Sequence, residues 1–165
     1  MKEISKRARV IAAFPGMGKT HLFNNCKDKV VLDSDSSNFS WVVENGEKKR
    51  NPEFPSNYIK HIKENLDKCD IILVSSHEEV RNALIENEVY FELCYPSLGD
   101  KEIYIERYIR RGSPEAFINL ISNNWDKWIT DIDNMDVDCD SYCTKVEFEG
   151  DLYLTEYIEH SQKNV

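Results

Sequence analysis

A glycine-rich turn between an apolar run and a helical pattern constrains the fold of this chain more than any other feature. Residues 13–20 read AFPGMGKT, which overlaps the end of the apolar stretch 10–14, and a helical pattern begins at residue 21. Gly16 and Gly18 allow backbone conformations closed to residues with a Cβ, so that successive N–H groups can converge on one anion. The order strand, glycine-rich turn, Lys-Thr and helix predicts a phosphate-binding loop. An ordinary Pro-Gly turn before a helix is the alternative.

The residues of this turn predict a site for a nucleoside triphosphate and a magnesium ion. The start of a helix presents free N–H groups and a positive partial charge to an anion. Lys19 can contact β- and γ-phosphates as a candidate catalytic residue, and the Thr20 hydroxyl can ligand Mg²⁺. The usual motif begins with glycine, whereas this chain has the small Ala13 at that position. The residues expected to hold ATP are Pro15, Gly16, Met17, Gly18, Lys19, Thr20 and His21.

The size and charge of the chain narrow its class. A chain of 165 residues favours one domain with one core. The net charge of −9 favours a small phosphorylated substrate over long nucleic acid, which usually requires a basic face. No apolar run approaches the ~20 residues of a membrane span, and the stretch after Arg9 is too short for a signal peptide. We expect a monomer or a homodimer without a membrane partner.

The cysteines indicate a reducing compartment. They form no CxxC pair, and their number is odd, which favours reduced thiols over a disulfide framework. We therefore expect a cytoplasmic protein, or one of the host cytoplasm if the source is viral. The cysteines are Cys26, Cys69, Cys94, Cys139 and Cys143.

Strand and helix patterns alternate along the chain. Strands are predicted at about 8–14, 30–32, 71–74, 89–95 and 145–148. Helices are predicted at about 18–27, 55–68, 76–87, 100–111, 114–132 and 153–162, and the polar stretch 36–54 is predicted to be mostly loop. The alternation predicts an α/β fold with a five-stranded parallel sheet covered by helices on both faces.

Polar residues follow the predicted second and third strands, and ligands bind beyond the carboxyl ends of such strands. Asp33 and Asp35 point the same way if the chain is extended, so both carboxylates can face one site. One of them can hold Mg²⁺ and the other can accept a proton from an attacking hydroxyl; we expect Asp33 to be the metal ligand and a catalytic residue. Ser75 and Ser76, followed by His77, are expected to bind substrate at the same edge. A solvated Asp-Ser-Asp turn is the alternative for the carboxylates.

Arginines cluster on the predicted helix 100–111. Arg107, Arg110 and Arg111 lie within five residues, at spacings that place Arg107 on one face with the other two. Guanidinium groups on a mobile helix can close over a transferring phosphoryl group, and Gly112 supplies a hinge. We expect Arg107 and Arg111 to be catalytic. The alternative is a solvated helix face with a Glu106–Arg110 pair.

Aromatic residues flank the loop after Asp35. Phe39, Trp41 and Tyr58 can stack on a base, or they can equally cover the core. Arg50 in the same region is a candidate for holding a phosphate of the acceptor. Of these, Trp41 and Arg50 are predicted to bind substrate, together with Asp35.

On these residues the chain resembles the small P-loop kinases, the nucleoside monophosphate kinases and relatives such as shikimate kinase and the kinase domain of polynucleotide kinase. The resemblance rests on residues 14–20, on Asp33-Ser34-Asp35 and on the lid-like helix 105–112, and it covers residues 8 to about 134. The chain is also similar to compact nucleotide kinases encoded by bacteriophages. The third strand ends in Ser-Ser-His, which departs from the pattern of adenylate kinases and leaves the acceptor open.

This resemblance implies a three-layer α/β/α fold with strand order 2-3-1-4-5 and a helical lid. It divides residues 1–165 into a core (1–35, 69–99 and 114–165), an acceptor-binding insertion (about 36–68) and a lid (about 100–113). It also implies an ATP site at Gly16, Gly18, Lys19 and Thr20, metal or acceptor contacts at Asp33 and Asp35, and lid roles for Arg107 and Arg111.

Three functions follow as hypotheses. The first is phosphoryl transfer from ATP to a small acceptor, with a (deoxy)nucleoside monophosphate as the leading candidate. The second is a kinase acting on a polynucleotide end or a modified base. The third is a non-catalytic ATP-binding regulatory module, although the Asp-x-x-Gly and Asn-Lys-x-Asp motifs of GTPases do not occur in the chain.

Overall fold

The computed structural model describes residues 7–137 and 141–162, which alternate strands with helices as predicted. The strands are β1 (Arg9–Ala13), β2 (Val31–Asp33), β3 (Trp41–Glu44), β4 (Glu47–Arg50), β5 (Ile71–Ser75), β6 (Phe91–Pro96) and β7 (Cys143–Phe148). The helices are α1 (Lys19–Asn25), α2 (Ser37–Ser40), α3 (Ser56–Asn65), α4 (Glu78–Glu86), α5 (Lys101–Arg110), α6 (Glu115–Asp133) and α7 (Leu154–Gln162). A short 3₁₀ turn, Leu98–Asp100, precedes α5. Cys139 lies outside the described residues.

Five strands form one parallel sheet in the order β2-β5-β1-β6-β7. Numbered by their order among the predicted strands, this is 2-3-1-4-5, so the α/β class, the parallel sheet and the strand order are confirmed. The helices make the arrangement compatible with three α/β/α layers. The central strand β1 is buried from its second residue onward: Ile11 is paired with Leu73 on one side and Glu92 on the other, and its side chain is 0% exposed.

The carboxyl ends of β1, β2 and β5 lie side by side at one edge of this sheet. In the register, Ala13 at the end of β1 pairs with Ser75 of β5, and Asp33 at the end of β2 pairs with Leu73. Because parallel strands end at the same edge, the glycine-rich turn that follows β1 meets the polar residues that follow β2 and β5. The fold therefore brings three segments together that are far apart in sequence.

The prediction of a loop over 36–54 was wrong. This stretch contains α2 and an antiparallel hairpin, β3–β4, in which Trp41 pairs with Arg50. Asn45 and Gly46 form the turn with φ values of 53° and 77°, the backbone that two-residue hairpins prefer. Every residue of β3 and β4 is exposed, so the usual alternation of apolar and polar residues is missing. The Asn-Gly pair was the readable signal for this hairpin.

A cluster of aromatic rings lies beneath the glycine-rich turn. Phe14, the residue after β1, contacts Trp125 of α6 and Tyr104 of α5 with ring centroids 5.5 Å and 6.5 Å apart. All three side chains are buried. Edge-to-face contacts of this kind add to the free energy gained by burying the rings. They fix α5 and α6 against the end of β1, where the turn begins.

No helix within residues 7–137 and 141–162 is both long and apolar enough to cross a lipid bilayer.

Candidate functional site

The glycine-rich turn, residues 15–20, has a backbone that requires its two glycines. Gly16 and Gly18 have φ values of 89° and 92°, a region that side chains with a Cβ rarely adopt. A Cβ on Gly16 would also lie 2.7 Å from a ring carbon of Tyr108, and one on Gly18 would lie 3.1 Å from a ring carbon of Tyr153. Gly16 is therefore needed for both conformation and space, whereas Gly18 is needed above all for its conformation.

Three consecutive carbonyl groups of this turn are tied to other parts of the chain. The Tyr108 hydroxyl donates to the carbonyl oxygen of Pro15 at 2.6 Å, and Nη1 of Arg107 donates to that of Gly16 at 2.9 Å. The backbone N–H of Leu154 donates to the carbonyl oxygen of Met17 at 2.9 Å. We call these three bonds the carbonyl anchors.

The carbonyl anchors determine where the N–H groups of the turn point. In a planar trans peptide, the C=O of one residue and the N–H of the next point in opposite directions. The N–H groups of Gly16, Met17 and Gly18 therefore point away from α5 and from the start of α7. Gly18 is the N-cap of α1 and has no side chain with which to cap the first-turn N–H groups of that helix. Such a row of N–H groups can bind an anion.

A cleft of about 650 Å³ lies over the turn. It is bounded by the turn, by the ends of β2 and β5, and by the end of α5 with the start of α6. Its lining includes most of the residues predicted from the sequence. They are Pro15, Gly16, Gly18, Lys19, Thr20, His21, Asp33, Asp35, Ser75, Ser76, Arg107 and Arg111. Met17 is the exception within the turn, because its side chain is fully buried in the core.

Lys19 and the two aspartates influence one another across this cleft. Burial lowers the pKa of Lys19, while Asp33 and Asp35 raise it and the nearby Arg111 lowers it further. Burial also raises the pKa of Asp33, and Asp35 adds to that rise, while Lys19 opposes it. The half-buried Asp33 carboxylate is therefore a better proton acceptor than a freely solvated aspartate. Asp35 is exposed and accepts a hydrogen bond from the backbone N–H of Ser37.

The residues after β5 lie at the same edge. Ser75 and Ser76 are buried, and the Ser75 hydroxyl donates to that of Ser36 at 2.7 Å. The ring of His77 lines the cleft as well. Partial desolvation lowers the pKa of His77, and the charges of Lys19, Arg81 and Arg50 lower it further. His77 is therefore neutral at pH 7.

Arg107 is not a free side chain on a mobile helix. Its side chain is 6% exposed, and besides Gly16 it contacts Asp151 at 2.9 Å and the carbonyl oxygen of Leu152 at 3.1 Å. Its guanidinium carbon also lies 4.6 Å from the centroid of Tyr104 and 3.8 Å from that of Tyr153. These contacts fix the residue against the turn. A catalytic role for Arg107 stays a prediction, and its geometry favours holding the turn in place.

Arg111 and Arg110 are the exposed arginines of this cluster. Arg111 donates through Nε to the Ser113 hydroxyl at 2.7 Å, and its guanidinium lies over the rings of Tyr108 and Phe117. Arg110 forms an ion pair with Glu106 at 2.6 Å, as expected if this helix face is solvated and does not act as a lid. Both line the cleft, and because they are exposed they remain able to contact an anion there.

Trp41 and Arg50 do not line the main cleft. They line a neighbouring pocket of about 410 Å³ beneath the hairpin, which shares Asp35 and His77 with the cleft. The guanidinium of Arg50 lies 5.6 Å from the ring centroid of Trp41 and 4.9 Å from that of Phe54. The two sites are therefore neighbours, with Asp35 and His77 in the lining of both.

The other two aromatic candidates belong to the core. Tyr58 is 0% exposed, and its hydroxyl donates to the carbonyl oxygen of Ser34 at 2.6 Å. Phe39 is partly buried against Tyr58, with centroids 5.1 Å apart, and against His61. Phe39 and Tyr58 therefore cover the core, which was one of the two alternatives for these residues.

The predicted magnesium ligands are too few to form a metal site by themselves, and they suit a metal ion that a bound phosphate also coordinates. Thr20 and Asp33 both line the cleft beside the turn. Within the described part of the chain, no group of three or more His, Cys, Asp or Glu residues is placed to hold a metal ion. Mg²⁺ commonly takes only one or two protein oxygens and completes its shell with phosphates and water, so these two oxygens suit a metal that arrives with a nucleotide.

Sequence reasoning missed the tyrosines that surround the turn. Tyr104 and Tyr108 of α5 lie against Gly16, and Tyr153 lies against Gly18. Tyr153 and Phe117 also line the cleft. The i, i+4 spacing of Tyr104 and Tyr108 is typical of one helix face, but nothing in the sequence pairs that face with the glycines.

The chain matches no model of a known protein family, and a search of curated proteins finds no match.

Proposed function

We propose that the protein is an ATP-dependent phosphotransferase of the P-loop kinase type, which transfers the γ-phosphate of ATP to a small acceptor. The carbonyl anchors carry this proposal, because they turn the N–H groups of three successive residues away from the anchoring groups, in a turn that lines one cleft together with Lys19 and Asp33. An anion cup, a lysine and a carboxylate on one cleft are what phosphoryl transfer requires.

In this proposal the chain positions the reactants and balances charge. The N–H groups of residues 16–20 hold the β-phosphate, and Lys19 contacts the β- and γ-phosphates. Arg111 approaches the γ-phosphate from the opposite wall of the cleft. Asp35, the other carboxylate beside the end of β2, accepts the proton of the attacking group. A magnesium ion held by Thr20 and Asp33 would neutralise charge on the phosphate oxygens.

The acceptor binds, in this proposal, beyond the ends of β2 and β5. The resemblance to nucleoside monophosphate kinases favours a (deoxy)nucleoside monophosphate there. A polynucleotide end is the second candidate, and the hairpin favours it. Its strand β4 carries Lys48, Lys49 and Arg50 on an exposed surface, with the Lys48 ammonium 4.9 Å from the ring centroid of Trp41. Basic and aromatic side chains together suit a single strand.

Transfer of labelled phosphate separates these readings. The protein is incubated with ATP, Mg²⁺ and each ribo- and deoxynucleoside monophosphate, and in parallel with oligonucleotides, and ADP release is measured. Lys19→Ala is the inactive variant, and Lys60→Ala, which removes an exposed lysine of α3, is the matched control. Acceptor-dependent ADP release by the parent chain and the control, and its loss in Lys19→Ala, is the expected result. ATP binding without turnover of any acceptor would favour the regulatory module instead.

We also propose a cytoplasmic location and action as a monomer or homodimer. Among the described cysteines, Cys26, Cys69, Cys94 and Cys143 are free thiols, which suits a reducing compartment that supplies ATP.

A further inference from the structure

The cleft can be divided into a half that would hold ATP, the donor half, and a half that would hold the acceptor, the acceptor half. The two halves differ in charge, and that charge favours one chemical class of acceptor over another. The donor half comprises residues 15–20 with Arg107, Arg110 and Arg111, and it holds Lys19 and all three of these arginines. The acceptor half comprises the ends of β2 and β5 with the pocket beneath the hairpin. Its ionised lining residues in the described chain are Asp33, Asp35, Glu79 and Arg50. The acceptor half therefore carries a negative balance, while the donor half is positive.

The single arginine of the acceptor half already has a carboxylate partner. Arg50 forms an ion pair with Glu79 of α4 and lies between the rings of Trp41 and Phe54. His77 adds no charge at pH 7, because partial desolvation and the neighbouring cations lower its pKa. A phosphate placed here would meet the carboxylates of Asp33 and Asp35, and the charge of Arg50 is already shared with Glu79.

The other polar groups of the acceptor half suit hydroxyls. Ser36, Ser37, Ser40 and Asp35 line the pocket beneath the hairpin, and Ser75 and Ser76 line the adjoining edge of the cleft. Hydroxyl and carboxylate oxygens accept hydrogen bonds from an alcohol without a charge penalty. Trp41 and Phe54 give this pocket aromatic walls, and its volume of about 410 Å³ accommodates a ring-bearing molecule of nucleoside size.

We propose that the acceptor atom is a hydroxyl oxygen of an uncharged nucleoside unit, either a free nucleoside or the 5′ end of a strand, and not a phosphate oxygen. This inference rests on the proposed phosphotransferase function. The hydroxyl oxygen attacks the γ-phosphorus of ATP, and the bond between that phosphorus and the β,γ-bridging oxygen breaks. ADP leaves with the electron pair, and the hydroxyl proton passes to the Asp35 carboxylate and then to solvent.

Matched pairs of acceptors test this inference. Each deoxynucleoside is compared with its 5′-monophosphate, and a short oligonucleotide with a 5′-hydroxyl is compared with the same strand carrying a 5′-phosphate. The readout is kcat/KM for ADP release with ATP and Mg²⁺. We expect the hydroxyl member of at least one pair to be preferred by ~10-fold or more, since one like-charge contact of about 1.4 kcal/mol amounts to that factor.

Glu79→Gln is the diagnostic variant, with Glu64→Gln of α3 as an exposed control. Glu79→Gln removes the carboxylate partner of Arg50. We therefore expect this variant to lower the ratio of kcat/KM for the hydroxyl member to kcat/KM for the phosphate member. Glu64→Gln should leave that ratio unchanged. Preference for the phosphate member in every pair, or transfer to neither member of any pair, would overturn the hydroxyl assignment. Calorimetric titration with a non-hydrolysable ATP analogue is run alongside. Failure of that titration, rather than an unexpected acceptor preference, would count against the phosphotransferase function itself.

Discussion

Nη1 of Arg107 donates a hydrogen bond to the carbonyl oxygen of Gly16 across 2.9 Å, joining a buried side chain of α5 to the glycine-rich turn 91 residues earlier in the sequence. The same guanidinium contacts Asp151 and Leu152, so one side chain connects the turn, α5 and the segment before α7. An arginine can do this because its donors are arranged in a rigid planar fork. The shape of the turn therefore depends on residues far from it.

Replacing Arg107 tests this dependence. Arg107→Ala removes the donor to Gly16 and opens space between Tyr104 and Tyr153. We expect the free energy of unfolding to fall by about 2–3 kcal/mol, because a buried charged hydrogen-bond donor is lost, and affinity for an ATP analogue to fall with it. Urea denaturation and calorimetric titration measure the two effects. Arg110→Ala is the control, because Arg110 is exposed and its ion pair with Glu106 lies on the surface, so its unfolding midpoint should match that of the parent chain.

The space around Gly16 gives a second prediction. Gly16→Ala requires a left-handed conformation and a Cβ that would lie 2.7 Å from a ring carbon of Tyr108. Gly46→Ala requires a similar positive φ, but nothing lies within 4 Å of its Cβ. We expect Gly46→Ala to cost about 1–2 kcal/mol for its backbone alone. Gly16→Ala should cost about 1–3 kcal/mol more, because the site is overpacked. Equal losses in thermal or urea unfolding would contradict the close approach of Tyr108.

Lys19 gives a prediction about activity without a loss of fold. Lys19→Ala removes the ammonium that is proposed to contact the β- and γ-phosphates. We expect kcat for phosphoryl transfer to fall by about 10²–10³-fold, the usual effect of removing one group that stabilises transition-state charge. Far-ultraviolet circular dichroism should be unchanged. A variant that retains full transfer activity would exclude Lys19 from the reaction.

We predict that the charged Asp33 carboxylate lowers the free energy of unfolding although phosphoryl transfer requires it. Its pKa is raised in the folded protein, first by burial, so the folded chain binds the proton more tightly than the unfolded chain does. Stability therefore falls as pH rises from the ordinary pKa of an aspartate through the raised value, and the cost persists above it. We expect Asp33→Asn to be more stable than the parent chain at pH 7 and to lose transfer activity. Unfolding measured from pH 3 to pH 8 should show the two stabilities converging toward acid pH.

Chelation distinguishes a metal ion needed for phosphoryl transfer from one needed for folding. Because the described residues contain no cluster of three or more acidic, histidine or cysteine side chains placed to hold a metal, we expect EDTA to leave the melting temperature of the nucleotide-free protein unchanged. The same treatment should abolish phosphoryl transfer, and added Mg²⁺ should restore it. A fall in melting temperature on chelation would indicate a structural metal site instead.

The sheet could be predicted because its strands carry strong local signals. β1 and β5 are continuous apolar runs, buried almost throughout, and polar residues mark the carboxyl ends of β2 and β5. The predicted fifth strand began two residues late, since β7 starts at Cys143 rather than Lys145. The exposed hairpin could not be found from periodicity, because neither of its faces is covered by the core.

The site could be predicted only in part, for a physical reason. Asp33 and Ser75 end strands whose order was foreseeable, Lys19 lies after the turn that follows β1, and the structure brings all three to one cleft. The anchoring of the turn depends on contacts across 91 residues for Arg107 and 93 for Tyr108. Such contacts are set by how α5 packs, and sequence spacing carries no signal for that. Arg107 therefore looked like a free lid residue, although its side chain is buried.

The most direct test of the central claim is a crystal structure of the protein with Mg²⁺ and a non-hydrolysable ATP analogue. We predict that the β-phosphate lies within hydrogen-bonding distance of the N–H groups of residues 16–20 and of the Lys19 ammonium, with the carbonyl anchors of Arg107 and Tyr108 intact. A triphosphate bound elsewhere on the molecule, or a turn whose N–H groups face away from it, would contradict the account.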